Sequence, residues 1–240
     1  MFCFPVPKDK FQITTPWVIG TIAILDGLLL IPFYTGDRAA LFAHYAFTPS
    51  HPTLLTLVSA LFLHLGVLHY IGNMWFLWIF GRKVECTLGS IRFAALYLFC
   101  GIGGQFLYLF LNLHSNIPLV GASGAISGIA GFYFVVFPHD RFNLHLYFGW
   151  WKVAKIDSTT RSAVGAWIGE QLLLALLTRL APFSSVAFWA HIGGFATGAM
   201  AGVLYHYRVP EINRPSIPVI ELEGEDTKEQ PSDLTTLKLN

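Results

Sequence analysis

Six apolar runs, at 17–34, 54–80, 91–111, 119–137, 163–181 and 186–205, occupy most of this chain, and they decide what it can fold into. A helix needs about 20 mostly apolar residues to cross the hydrocarbon core of a bilayer. Lipid offers no hydrogen bonds, so a spanning segment must satisfy its backbone internally, which a helix does. Charged residues are 12% of the chain, against roughly a quarter in a soluble domain. A soluble globular enzyme is thereby excluded. Aromatic residues at 15% exclude disorder over most of the length. The fold class that follows is an all-α membrane protein with six transmembrane helices.

The second run holds 27 residues. As one straight helix it would be about 40 Å long, too long for a core of roughly 30 Å. A break is expected near Gly66, with a partly embedded piece before it and a true span over about 67–84. Orientation follows from Lys and Arg, which collect on the cytoplasmic side. With the N-terminus inside, thirteen of them fall on the inner side and only Arg38 and Arg179 on the outer, so both termini are expected in the cytoplasm. Residues 1–16 are read as a cytoplasmic N-terminal segment, 17–207 as the six-helix domain and 208–240 as a polar, disordered cytoplasmic tail. That tail carries Pro210, Pro215 and Pro218 and the acidic cluster Glu221, Glu223, Glu225 and Asp226.

The first apolar run has no convincing small-residue cleavage site before or within it and is read as a retained helix. A bacterial cytoplasmic membrane is expected, because the chain is compact and shows no transit peptide. A net charge of +1 recruits no nucleic acid. Cys3, Cys86 and Cys100 lack CxxC spacing, so neither a disulfide framework nor a zinc site is signalled. The sequence calls for no cofactor and no metal.

Polar residues inside spans are costly, and each is a functional candidate by default. The second run carries His64, His69 and Asn73, the last two sharing a helix face by their spacing of four. The fourth opens with Gly121-Ala-Ser123-Gly124 and the sixth with Ala190-His191-Ile-Gly193-Gly194. Spans 2, 4 and 6 run in the same direction, so His69, Ser123 and His191 fall at similar depth below the outer surface. Small residues let helices approach closely in lipid, and the pairs Gly124/Gly128 and Gly194/Gly198 suit spans 4 and 6 to touch. A serine becomes a nucleophile when a neighbouring histidine takes its proton. Asp26 and Glu170 are the only carboxylates well inside spans, and neither has motif spacing to His191, so a dyad is expected rather than a triad. The developing oxyanion needs donors, which the Ser123 backbone N–H and the His69 and Asn73 side chains can supply.

The combination of HxxxxHxxxN at His64, His69 and Asn73, GxSG at Gly121 to Gly124, and AHxxGxxxG at Ala190 to Gly198 resembles the rhomboid intramembrane serine proteases. The likeness covers roughly 49–205. It implies a six-helix rhomboid-like bundle that hydrolyses peptide bonds of single-span membrane proteins, in contact with membrane lipid. It further implies Ser123 as nucleophile, His191 as base, and His69, Asn73 and Ser123 as oxyanion donors. The fifth span with its adjacent loop is implied to be a lateral gate. His64, Gly121 and Gly124 are candidate cavity residues. One departure is visible: the Trp-Arg pair of some members is absent between Tyr34 and Pro52, which bears on that loop and not on the chemistry.

Other intramembrane polar residues have blander readings. Ser127, one turn below Ser123, reads as packing, Glu85 as a loop anchor, and Glu170 and Gln171 as an interhelical polar contact. Asp26 is expected to be protonated or hydrogen-bonded inside the bundle. A non-catalytic protein of the same fold that binds transmembrane helices is the alternative function. A transporter is disfavoured by the lack of inverted repeats, and a metalloprotease by the lack of HExxH.

Overall fold

The computed structural model describes residues 2–7, 16–148, 151–180 and 186–209. Strand β1 (Phe2–Pro7) comes first, followed by α1 (Trp17–Thr35) and the short α2 (Arg38–Tyr45), whose start is capped by Asp37 accepting from Ala39 and Ala40 N–H. A capping box between Thr53 and Thr56 starts α3 (Leu54–Ser59), which ends in a 3-10 turn over Ala60–Phe62. Gly66 then adopts φ 136°, a value L side chains rarely adopt, and the chain turns. Helix α4 (Val67–Phe76) runs on through a π-helical turn (Leu77–Gly81) into α5 (Arg82–Leu88). The pieces Leu54–Phe62 and Val67–Leu88 meet at 90°. The break expected near Gly66 is therefore where the backbone bends.

Next come α6 (Ser90–Leu111), α7 (Ser123–Val136), the strands β2 (Arg141–Phe148) and β3 (Trp151–Thr159), then α8 (Thr160–Leu180) and α9 (Phe188–Arg208). Each of the six apolar runs holds helix. Among the described residues three helices, α1, α6 and α8, are long and apolar enough to cross a membrane, and the bent pair adds a fourth if counted as one span. The expected count of six is not reached on length and composition, for local reasons. Helix α7 has 14 residues, about 21 Å at 1.5 Å per residue, and α9 is diluted by glycines and histidines.

Helix α7 is the centre of the bundle, with every residue from Gly124 to Tyr133 buried. It packs most extensively on α9, then on α6. The α7–α9 seam is made of backbone: a Cβ on Gly194 would overlap the Gly124 carbonyl, and one on Gly198 the Gly128 carbonyl. The two GxxxG pairs thus pack against each other, as their spacing predicts. Below the seam the core is aromatic, with Phe80, Phe93, Tyr97, Phe132, Tyr133 and Phe142 buried.

The expectation of an all-α protein is corrected: the structure is mostly helical but carries an antiparallel sheet in the order β1-β2-β3. Phe2 pairs with Tyr147 and Pro7 with Phe142, while Arg141 pairs with Thr159 and Phe148 with Trp151. Pro5 and Pro7 stand on the edge strand β1, where a missing N–H does least harm. Residues 1–16, expected as a plain cytoplasmic segment, thus contribute a strand, and residues 210–240 of the expected tail lie outside the described residues.

At the sheet end of the bundle two acidic groups tie helices together. Glu85 accepts from Val18 N–H at 2.9 Å, Ile19 N–H at 3.3 Å and Ser90 Oγ at 2.9 Å, so it caps α1 from outside, in keeping with its reading as an anchor. Asp140 pairs with Lys83 and accepts from Tyr133 Oη at 2.6 Å, while its carbonyl accepts from Thr160 N–H at 2.8 Å at the start of α8.

Candidate active site

The segment leading into α7 is fixed before the helix begins. Leu119 and Phe47 exchange backbone hydrogen bonds of 2.7 and 3.0 Å, and Gly121 N–H donates to Ala60 O at 2.9 Å. Gly121 has φ 123°, and a Cβ there would stand 2.9 Å from His69 Cε1, 3.1 Å from His69 Nε2 and 3.7 Å from Asn73 Nδ2. Only a glycine allows both that backbone and that approach. Two residues later Ser123 opens α7.

Ser123 Oγ lies 2.9 Å from His191 Nε2. His191 sits in the first turn of α9, and its other ring nitrogen, Nδ1, is 2.7 Å from Gln171 Oε1 on α8. The Trp167 ring, one turn before Gln171, lies 6.3 Å from the His191 ring at 31°, and the Phe188 ring meets it edge-on at 6.4 Å and 86°. A neutral imidazole has one N–H and one lone pair. With an acceptor oxygen at Nδ1, the proton belongs there, and Nε2 is left to accept from the Ser123 hydroxyl.

His69 is set the other way round. Its Nδ1 accepts from Leu65 N–H at 3.3 Å, so the ring proton is on Nε2, the nitrogen facing Gly121. Asn73 is buried, and its Nδ2 has no hydrogen-bond partner among the described residues. An unpaired buried donor costs about 1–3 kcal/mol, and this one faces the cavity that Ser123 also lines. His69, Asn73, Ser123, Trp167, Gln171 and His191 all line one cavity of about 1030 Å³.

The sequence-derived candidates divide accordingly. Ser123, His191, His69 and Asn73 are brought to that one cavity. His64 stands behind it: the turn at Gly66 buries its ring, which contacts the His69 ring at 5.0 Å and the Tyr70 ring at 5.7 Å, with Nδ1 3.9 Å from Asp26 Oδ2. Gly121 and Gly124 border a separate cleft of about 10 Å³ next to Ser123, and Gly124 receives α9. Ser127 donates to Ser123 O at 2.6 Å, a local helix bond consistent with a packing role. Glu170 is exposed to the cavity, whereas Gln171 is buried and bonds the histidine. Sequence reasoning expected an interhelical contact at Gln171 without naming the partner. It missed Trp167, whose spacing of four from Gln171 was the available signal. Among the described residues no three His, Cys, Asp or Glu side chains cluster as metal ligands would.

The serine–histidine pair thus lies between the glycine-seamed helices α7 and α9, and comparison with known proteins gives the family. A model of the Rhomboid domain matches residues 51–208, and the chain belongs to the rhomboid family. It is 36% identical over 146 residues to RHOMBOID-like protein 4 of Arabidopsis thaliana, a match covering 61% of this chain and 32% of that protein. It is 31% identical over 148 residues to RHOMBOID-like protein 6, mitochondrial, of the same plant, covering 62% and 42%. Rhomboid protein 1, mitochondrial, of Saccharomyces cerevisiae is 28% identical over 162 residues, covering 65% and 42%. The matched part thus spans about a third to two fifths of these relatives. Several relatives are named as mitochondrial or chloroplastic, and none of these names supports the expected bacterial cytoplasmic membrane.

Proposed function

We propose that this chain is an intramembrane serine endopeptidase that cuts transmembrane segments of other membrane proteins. The observation that carries the reading is the 2.9 Å contact between Ser123 Oγ and His191 Nε2, with the proton on the far ring nitrogen. In this reading Ser123 Oγ attacks the scissile carbonyl carbon as its proton passes to Nε2. The carbonyl oxygen becomes an oxyanion and accepts from Ser123 N–H, His69 Nε2–H and Asn73 Nδ2, and the last of these donors is otherwise unpaired. The tetrahedral intermediate collapses, the C–N bond breaks, and His191 returns the proton to the leaving amine. Water then attacks the acyl-enzyme with His191 again as base, releasing the acid and restoring Ser123.

Support for a peptide substrate comes from the cavity, which at about 1030 Å³ is large enough for several side chains of an unwound segment. The reading includes six membrane crossings, both termini in the cytoplasm and single-span proteins as substrates. The test is cleavage of a reporter carrying one transmembrane helix by purified protein in liposomes, with Ser123→Ala and His191→Ala as controls. Cleavage by wild type alone is expected. Equal cleavage by Ser123→Ala overturns the reading. Absence of both cleavage and fluorophosphonate labelling in wild type favours the non-catalytic, helix-binding alternative.

A further inference from the structure

We infer that Gln171 is a positioning residue for the base: its amide oxygen holds the proton of His191 on Nδ1 and, together with Trp167, fixes the plane of the ring. The inference rests on the serine–histidine reading above and adds a third member to what the sequence presents as a dyad.

Chemistry at Ser123 requires a lone pair on Nε2, and the partner of the other nitrogen decides whether it is there. Gln171 Oε1 can only accept, and it stands 2.7 Å from Nδ1. Were the amide turned over, its NH2 group would face Nδ1, the ring proton would move to Nε2, and His191 would donate to Ser123 instead of accepting from it. The ring plane is constrained from two directions, by Trp167 from α8 and by the edge of Phe188 from α9. When Nε2 takes the serine proton, the positive charge that develops is shared with an oxygen already in contact. A carboxylate in this place would do so more strongly, but at the cost of burying a charge at membrane depth. A neutral amide supplies the acceptor without that cost.

The experiment compares wild type, Gln171→Met and Gln171→Glu in liposomes. Three quantities are measured: the rate of fluorophosphonate labelling, kcat and KM for a single-span reporter, and the thermal unfolding midpoint. Methionine keeps the length and removes the acceptor, while glutamate keeps the acceptor. Gln171→Met is expected to label and turn over about 10–100-fold more slowly per folded molecule, with KM little changed and the unfolding midpoint lowered only as far as the loss of one buried hydrogen bond accounts for. Gln171→Glu is expected to recover most of the rate. Gln171→Leu takes the place of the methionine variant if that one does not fold. Wild-type rates in the methionine variant overturn the inference. A loss shared equally by a folded glutamate variant, or a loss in the methionine variant that vanishes when rates are taken per folded molecule, overturns it too, since a packing role accounts for both. Failure of wild type to label or cleave is a different result and sinks the serine–histidine reading itself.

Discussion

Gly121→Ala tests how closely His69 and Asn73, the proposed oxyanion donors, are packed against the loop that carries Ser123, the proposed nucleophile. The added methyl meets two obstacles. Backbone at φ 123° is rarely adopted by L residues, and holding one there costs about 1–3 kcal/mol. The new Cβ also lies 2.9 Å from His69 Cε1, and carbon pairs rest at about 3.5–4.0 Å, so the ring must retreat by roughly half an ångström or more. It has little room, because Leu65 N–H holds Nδ1 and the buried His64 ring backs it at 5.0 Å. Misplacement of a catalytic group by about 1 Å can cost a hundredfold in rate. The expected outcome is a loss of about 1–3 kcal/mol in stability and of about 10–100-fold in kcat per folded molecule. The control is Gly124→Ala, three residues along the same segment, where the Cβ would lie at an ordinary 3.5 Å from Ala190 O. It is expected to stay within about 1 kcal/mol of wild type. The assay is reporter cleavage in liposomes, normalised to the folded fraction from thermal unfolding. Wild-type kcat in Gly121→Ala, or equal losses in the two variants, refutes the argument.

The remaining predictions concern residues around the site. Gly198→Leu forces α7 and α9 apart at the Gly128 carbonyl, and it is expected to abolish both fluorophosphonate labelling and the thermal transition of the native bundle. Among the described residues neither carboxyl oxygen of Asp26 has a hydrogen-bond partner, so Asp26→Asn is expected to leave cleavage unchanged and stability equal or raised by about 1 kcal/mol. A large loss of turnover in that variant would instead give Asp26 a role in proton movement. Glu85→Ala strips three hydrogen bonds from the start of α1 and from Ser90, and is expected to lower stability by about 1–3 kcal/mol with kcat per folded molecule intact.

Much of the site was legible because membrane helices leave few choices. Polar residues at equal depth on same-direction spans have to meet, and the GxxxG spacing picks the pair that meets most closely, so Ser123 and His191 could be set side by side from sequence. The bend at Gly66 was legible from length, since 27 apolar residues overrun the bilayer. Gln171 could be placed in a span but not assigned a partner, because one helix face points at several neighbours until the packing is known. The sheet escaped for a different reason. A reading tuned to long apolar runs passes over an eight-residue alternation such as Phe142, Leu144 and Leu146 against Asn143, His145 and Tyr147. Nothing local announces that Phe2–Pro7 is its partner. The count of six spans is not reached on length and composition because α7, though apolar, has only 14 residues and is buried in protein along most of its length.

The sheet also sets an order of assembly. Its middle strand, β2, lies between β3, the next strand in the chain, and β1, from the far beginning of it, with Phe2 opposite Tyr147. Translation at about 5–20 residues per second separates the synthesis of those two residues by on the order of ten seconds. Throughout that interval β2, the strand that β1 joins, is not complete. Closing this end of the bundle therefore requires a pairing between residues as far apart in the chain as Phe2 and Tyr147.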